Sequence, residues 1–140
     1  MKKLALLCGF VWAAASLSLQ AGETTPEFVE GTTRVTAEEI IDLVDAKPDL
    51  VIIDARKRSD YQKGYIEGAV NLPNTETTPE SLAGVIPSKS TPVLFYCNGV
   101  KCGRSVESAQ KAVSAGYTQV YWFRGGIQEW EAKGLPVVKP

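Results

Sequence analysis

From Thr36 onward the apolar positions alternate between two periods. Thr36-Ala37-Glu38-Glu39 has the form of a capping box, a hydroxyl at the helix start with a carboxylate three residues on. Ile40, Ile41 and Val44 follow at helical spacing, and Pro48 closes the element. Leu50-Val51-Ile52-Ile53 is a continuous run rich in β-branched residues, the pattern of a strand buried on both faces, and Asp54-Ala55-Arg56 comes directly after it. Ala69 to Leu72 predicts a short strand stopped by Pro73. Residues 74–91 read as loop, with one helical turn near Pro79–Gly84. Pro92 to Tyr96 predicts a second buried strand, which delivers Cys97. A helix over 105–115 would carry Val106, Ala109, Ala112 and Val113 on one face, with Gly116 as its C-cap. Val120 to Phe123 predicts another strand. Gly125-Gly126 turns it into a helix bearing Ile127 and Trp130, which Gly134 and Pro136 stop. Strands alternating with helices predict an α/β fold with a mainly parallel central sheet flanked by helices.

The first residues follow a different rule. Lys2 and Lys3 precede a mostly apolar, uncharged run from Leu4 to Leu19, and Ala21 offers a small residue before Gly22. That layout predicts a cleaved signal peptide over 1–21, with no stable membrane insertion afterwards and a periplasmic or secreted destination. The run is short and polar for a spanning helix, which needs about 20 apolar residues. Residues 22–34 are polar and threonine-rich and read as an N-terminal arm or linker; residues 35–140 form the domain. Cleavage removes Lys2, Lys3 and no acid, leaving 13 basic against 16 acidic residues. The sequence has no basic stripe to suit nucleic acid.

Cleavage also removes Cys8, so the mature chain holds Cys97 and Cys102 alone, in a compartment that permits disulfides. The chain has no histidine, and two thiols fall short of the usual zinc ligand set, so no zinc site is expected, and nothing in the sequence implies another metal or an organic cofactor. The two cysteines lie in Tyr96-Cys97-Asn98-Gly99-Val100-Lys101-Cys102-Gly103-Arg104-Ser105, between a strand and a helix. In an open α/β sheet, ligands sit beyond the carboxyl ends of strands, the position of both Asp54 and Cys97. A tight loop leading into a helix turns backbone N–H groups inward as an anion nest. Those donors, the helix terminus, Lys101 and Arg104 all favour a thiolate at Cys97 without histidine.

At these residues the chain resembles the rhodanese-like sulfurtransferases. The resemblance runs from about Val35 to Val138 and rests on four ordered motifs: VIIDAR at 51–56, GYIEGAVNLP at 64–73, VLFYCNG at 93–99 and VYWFRGGIQEWEAKGLPV at 120–137. It implies a three-layer sandwich. It also implies sulfane-sulfur transfer from a small anionic donor such as thiosulfate to a thiol or cyanide-like acceptor, through a Cys97 persulfide. The loop residues Asn98, Gly99, Val100, Lys101, Cys102, Gly103 and Arg104 would form the anion cradle. Two departures stand out. Tyr65 replaces the usual histidine of the second motif. The loop reads Cys-x6-Arg where common single-domain members read Cys-x4-Arg, which predicts a wider pocket. It also misses by one residue the Cys-x5-Arg spacing of tyrosine phosphatases.

Cys102 has two readings, a small thiol at the loop rim or a resolving thiol that closes a disulfide with Cys97. Two functional alternatives therefore accompany sulfur transfer: a thiol–disulfide protein using Cys97 and Cys102, and a non-catalytic binding module. Asp54 reads as a structural acceptor for loop N–H groups or for Arg56 rather than a catalytic acid.

Overall fold

The computed structural model describes residues 24–140; the expected signal peptide at 1–21 lies outside the described residues. Five strands form one wholly parallel sheet in the order β1-β5-β4-β2-β3. In chain order they are β1 (Thr32–Arg34), β2 (Val51–Asp54), β3 (Val70–Asn71), β4 (Val93–Tyr96) and β5 (Val120–Phe123). The helices are α1 (Ala37–Ala46), α2 (Arg58–Tyr61), α3 (Pro79–Val85), α4 (Arg104–Ser114) and α5 (Gly126–Ala132), with a 3-10 turn at Asn74–Glu76.

The period-2 alternation of the central strands creates the layers. Ile53, Val93, Phe95, Val120 and Trp122 face one side and pack with Leu82 of α3, Ile86 just after it, and Ala109 and Ala112 of α4. Their neighbours Ile52, Leu94, Tyr96 and Phe123 face the other side, against Ile40, Ile127 and Trp130 of α1 and α5. The result is a helix–sheet–helix sandwich, with β4 fully buried at its centre.

Most predicted elements are present, and the differences have physical reasons. The capping box at α1 forms as expected: Thr36 Oγ1 accepts from Glu39 N–H, and the Glu39 carboxylate accepts from Thr36 N–H. Of its three periodic apolar residues only Ile40 is buried; Ile41 and Val44 stay 44 and 45% exposed. In α4 the innermost face is made by Ser105, Ser108, Ala109 and Ala112, while Val106 and Val113 are half-buried at its edge. Small side chains let that helix lie close to the sheet. The single turn expected near residue 79 is a two-turn helix, started by a Thr78–Ser81 capping box and anchored by buried Leu82. The arm at 22–34 is not all linker. Its end is β1, in parallel register with β5, and Val29 reaches the core. Three polar-looking residues at a sheet edge gave no periodicity to read.

Candidate active site

Parallel strands β2 and β4 end side by side, with Asp54 opposite Tyr96. Asp54 is fully buried. Its carboxylate accepts from the Arg56 backbone N–H at 3.0 Å, from the Arg56 guanidinium at 2.6–3.1 Å and from Tyr96 Oη–H at 2.8 Å. Arg56 also donates to the Gly64 carbonyl at 2.7 Å, and the Ile66 N–H donates to Tyr96 Oη at 3.1 Å. Burial opposes the Arg56 charge, but the hydrogen bonds and charge of Asp54 outweigh it and hold the guanidinium pKa above its ordinary value. Burial and the adjacent Asp54 charge push the Tyr96 hydroxyl up. This network fixes the end of β4 one residue before Cys97. Asp54 and Arg56 thus support the site from beneath and do not face the loop.

Cys97 is 1% exposed. Its carbonyl accepts from Ile127 N–H, and the Asn98 carbonyl from Gln128 N–H, both at 2.9 Å. The first turn of α5 therefore pulls these carbonyls outward. In trans peptides the N–H groups of Asn98 and Gly99 then face the loop interior. Gly126 makes the contact possible. Its φ is +58°, and a Cβ there would collide with the Cys97 carbonyl oxygen and the Asn98–Gly99 peptide. On the other side, Thr25 N–H and Oγ1–H both donate to the Val100 carbonyl, at 2.7 and 2.9 Å. Arg124 holds Thr25 and Pro26 by their carbonyls, at 2.9 and 3.0 Å. The arm thereby straps the outer edge of the loop.

The lengthened loop folds back on itself. Cys102 N–H donates to the Gly99 carbonyl at 2.9 Å, and the resulting turn brings Cys102 back over Cys97. The Cys97 thiol donates to the Cys102 carbonyl at 3.0 Å and to Ser105 Oγ at 3.2 Å. Ser105 N–H points at Cys97 Sγ from 3.4 Å, and Trp122 Nε1–H holds Ser105 Oγ at 3.0 Å. Arg104, expected in the cradle, donates its Nη1 to Asn74 Oδ1 at 2.9 Å, and Lys101 projects from the exposed turn. Gly103 is exposed at the start of α4. Tyr65 stacks on Tyr61 at 4.0 Å between ring centroids and bridges by its backbone to Val138.

The two thiols divide the proton unequally. Cys102 is brought down to about 6, by the hydrogen bond from Cys97 above all, then by the Asn98 and Arg104 backbone N–H groups and the Arg104 charge, against the cost of its partial burial. Cys97 is pushed up, by the neighbouring Cys102 thiol and by its own burial. The inward donors expected to ionise Cys97 thus hold the charge on half-buried Cys102. Both cysteines are free thiols. Sequence reasoning did not single out Ser105, Thr25 or the packing role of Gly126. The Gly-Gly pair was its only visible signal, and the other two depend on contacts across 8 and 75 positions.

The rhodanese-like domain model matches residues 36–133, and the chain belongs to that family. It is 31% identical over 106 residues to the uncharacterized protein YibN of Escherichia coli, covering 75% of this chain and 71% of that protein. Among solved structures it resembles a thiosulfate sulfurtransferase from Pseudomonas aeruginosa, with TM-score 0.66 and 30% identity, over 77% of this chain and 20% of that one. It also resembles the Alr3790 protein of Anabaena sp., with TM-score 0.66 and 25% identity, over 76% and 82% of the two chains.

Proposed function

We propose that the protein is an exported sulfurtransferase that carries a sulfane sulfur on Cys97. The observation that carries this reading is the placement of one cysteine at the end of the central strand, where α5 turns the loop carbonyls out and the amides in. Such donors stabilise the anionic outer sulfur of a persulfide, as they would an oxyanion. A small sulfur oxyanion such as thiosulfate is the donor in this reading, entering as Cys102 yields its place in the loop, and a thiol or cyanide is the acceptor of the persulfide. Export follows from the leader-like pattern of residues 1–21.

The test is direct. Reduced protein is incubated with thiosulfate, and sulfite release and intact mass are followed. Sulfite and one added sulfur atom mapped to Cys97 are expected, with both lost in Cys97→Ser. Transfer that survives Cys97→Ser would remove the persulfide carrier from the reading. A binding module would need neither thiol.

A further inference from the structure

The Cys97 thiol is sealed beneath the loop and carries the proton, and its hydrogen-bond partners among the described residues are Cys102 and Ser105, neither of them a histidine, lysine or carboxylate. The group it does face is Cys102, whose carbonyl accepts the Cys97 thiol at 3.0 Å. Cys102 is the more exposed of the two, and the Asn98 and Arg104 backbone N–H groups favour its thiolate. A thiol at a loop rim needs none of this. The turn from Gly99 to Cys102 spends the two residues by which the loop exceeds the common spacing on bringing Cys102 back onto the Cys97 thiol.

We infer that Cys102 is a second reacting thiol. It takes the Cys97 proton during loading, then expels the loaded sulfur as hydrosulfide by closing a Cys97–Cys102 disulfide. The inference rests on the Cys97 persulfide proposed above. In the loading step the Cys97 proton passes to the Cys102 sulfur. The Cys97 thiolate attacks the outer sulfur of thiosulfate, the donor S–S bond breaks, and sulfite leaves with the electron pair. In the second step the proton returns from Cys102 to the outer sulfur of the persulfide. The Cys102 thiolate attacks Cys97 Sγ, the bond between Cys97 and the outer sulfur breaks, and hydrosulfide departs with that electron pair. Two thiols are oxidised to one disulfide while one sulfane sulfur is reduced to sulfide, so atoms and electrons balance without another reagent. The next turnover requires a dithiol reductant to reopen the disulfide, and that is the class of partner the site requires.

The experiment is a single turnover of the reduced full chain with thiosulfate, under anaerobic conditions and without added thiol. Hydrosulfide, sulfite and intact mass are measured, with a thiosulfate-free control. Wild type should release about one hydrosulfide per chain, lose two hydrogens and yield a linked Cys97–Cys102 peptide. Cys102→Ser should release no hydrosulfide and retain the added sulfur on Cys97. Its loading rate should also lose the inflection near 6 and rise only toward alkaline pH. A wild type that keeps a stable persulfide and releases no hydrosulfide overturns the inference while leaving Cys97 transfer intact. Failure of both proteins to release sulfite or gain sulfur overturns the transferase reading itself, and this inference with it. Because the wild-type products alone decide the matter, a poorly folded variant does not obscure the answer.

Discussion

Where the negative charge rests in the resting pair can be measured without any sulfur donor. The perturbation is pH, applied to the reduced protein in the presence of an uncharged alkylating agent, with the modified cysteine identified by peptide mapping. With Cys102 at about 6, roughly a quarter of it is thiolate at pH 5.5. An ordinary thiol near 8.5 would be about one part in a thousand thiolate there. Partial burial and the weaker intrinsic nucleophilicity of a low-pKa thiolate scale the whole curve, so they cancel when each rate is divided by its own plateau. At pH 7 that weakness nearly offsets the larger thiolate fraction and leaves only about a twofold advantage over a free thiol. The acidic point therefore decides.

The expected result is label on Cys102 alone, with a rate at pH 5.5 near one quarter of its plateau. Cys97→Ala removes the largest cause of the depression and should move the inflection upward. Label appearing first on Cys97, or a Cys102 profile that rises only above pH 8, would refute the assignment of the charge.

Four further outcomes follow from other contacts. The lowered pKa of Cys102 adds stability that is complete above the unfolded thiol value of about 8.5 and is lost as pH falls through about 6. The melting temperature of the reduced protein should therefore rise between pH 6 and 8, and this rise should shrink in Cys102→Ser. Asp54→Asn leaves a buried guanidinium without its carboxylate, so chemical unfolding should show a loss of about 3–5 kcal/mol. Sulfur loading per folded chain should persist, and a stable but inactive variant would instead make Asp54 a catalytic acid. Gly126→Ala combines a left-handed backbone costing about 1–2 kcal/mol with a collision against the catalytic loop, so loading should fall further than stability does; equal losses would argue against a loop-positioning role. Ser105→Ala strips the partner from the buried Trp122 indole N–H and should cost about 1–3 kcal/mol by urea titration, with no loss expected only if a water takes its place.

The parts of the molecule legible in the sequence were those whose cause is local. The β2 and β4 runs are apolar on both faces because both faces are covered, and a continuous run records that directly. The capping box at Thr36 is written within four residues. Cys97 and the acid–base pair Asp54–Arg56 sit directly at strand ends, where the sheet topology makes the reading simple. What stayed hidden depends on contacts between distant segments. Thr25 acts on Val100 across 75 positions, and β1 is a strand only because β5 offers it an edge. The path of the loop was equally hidden, because its length alone does not say whether extra residues open a pocket or fold back into one.

That path bears on how a family fold is adapted. In this loop the Asn98 and Arg104 backbone N–H groups act on Cys102, a sulfur of the chain itself. The occupant is held by a turn of the main chain and by an arm anchored through Arg124, and neither requires Cys97 or its supporting network to move. Under the proposed function, two added residues would change the fate of the sulfur after loading while Cys97, the strand beneath it and the helix that aims the loop amides stay as the fold dictates. Releasing the strap with Arg124→Ala should speed alkylation of Cys102 and expose the segment around Thr25–Phe28 to limited proteolysis, without altering the melting behaviour of the sheet. An unchanged alkylation rate would mean that the turn from Gly99 to Cys102 holds the second thiol in place by itself.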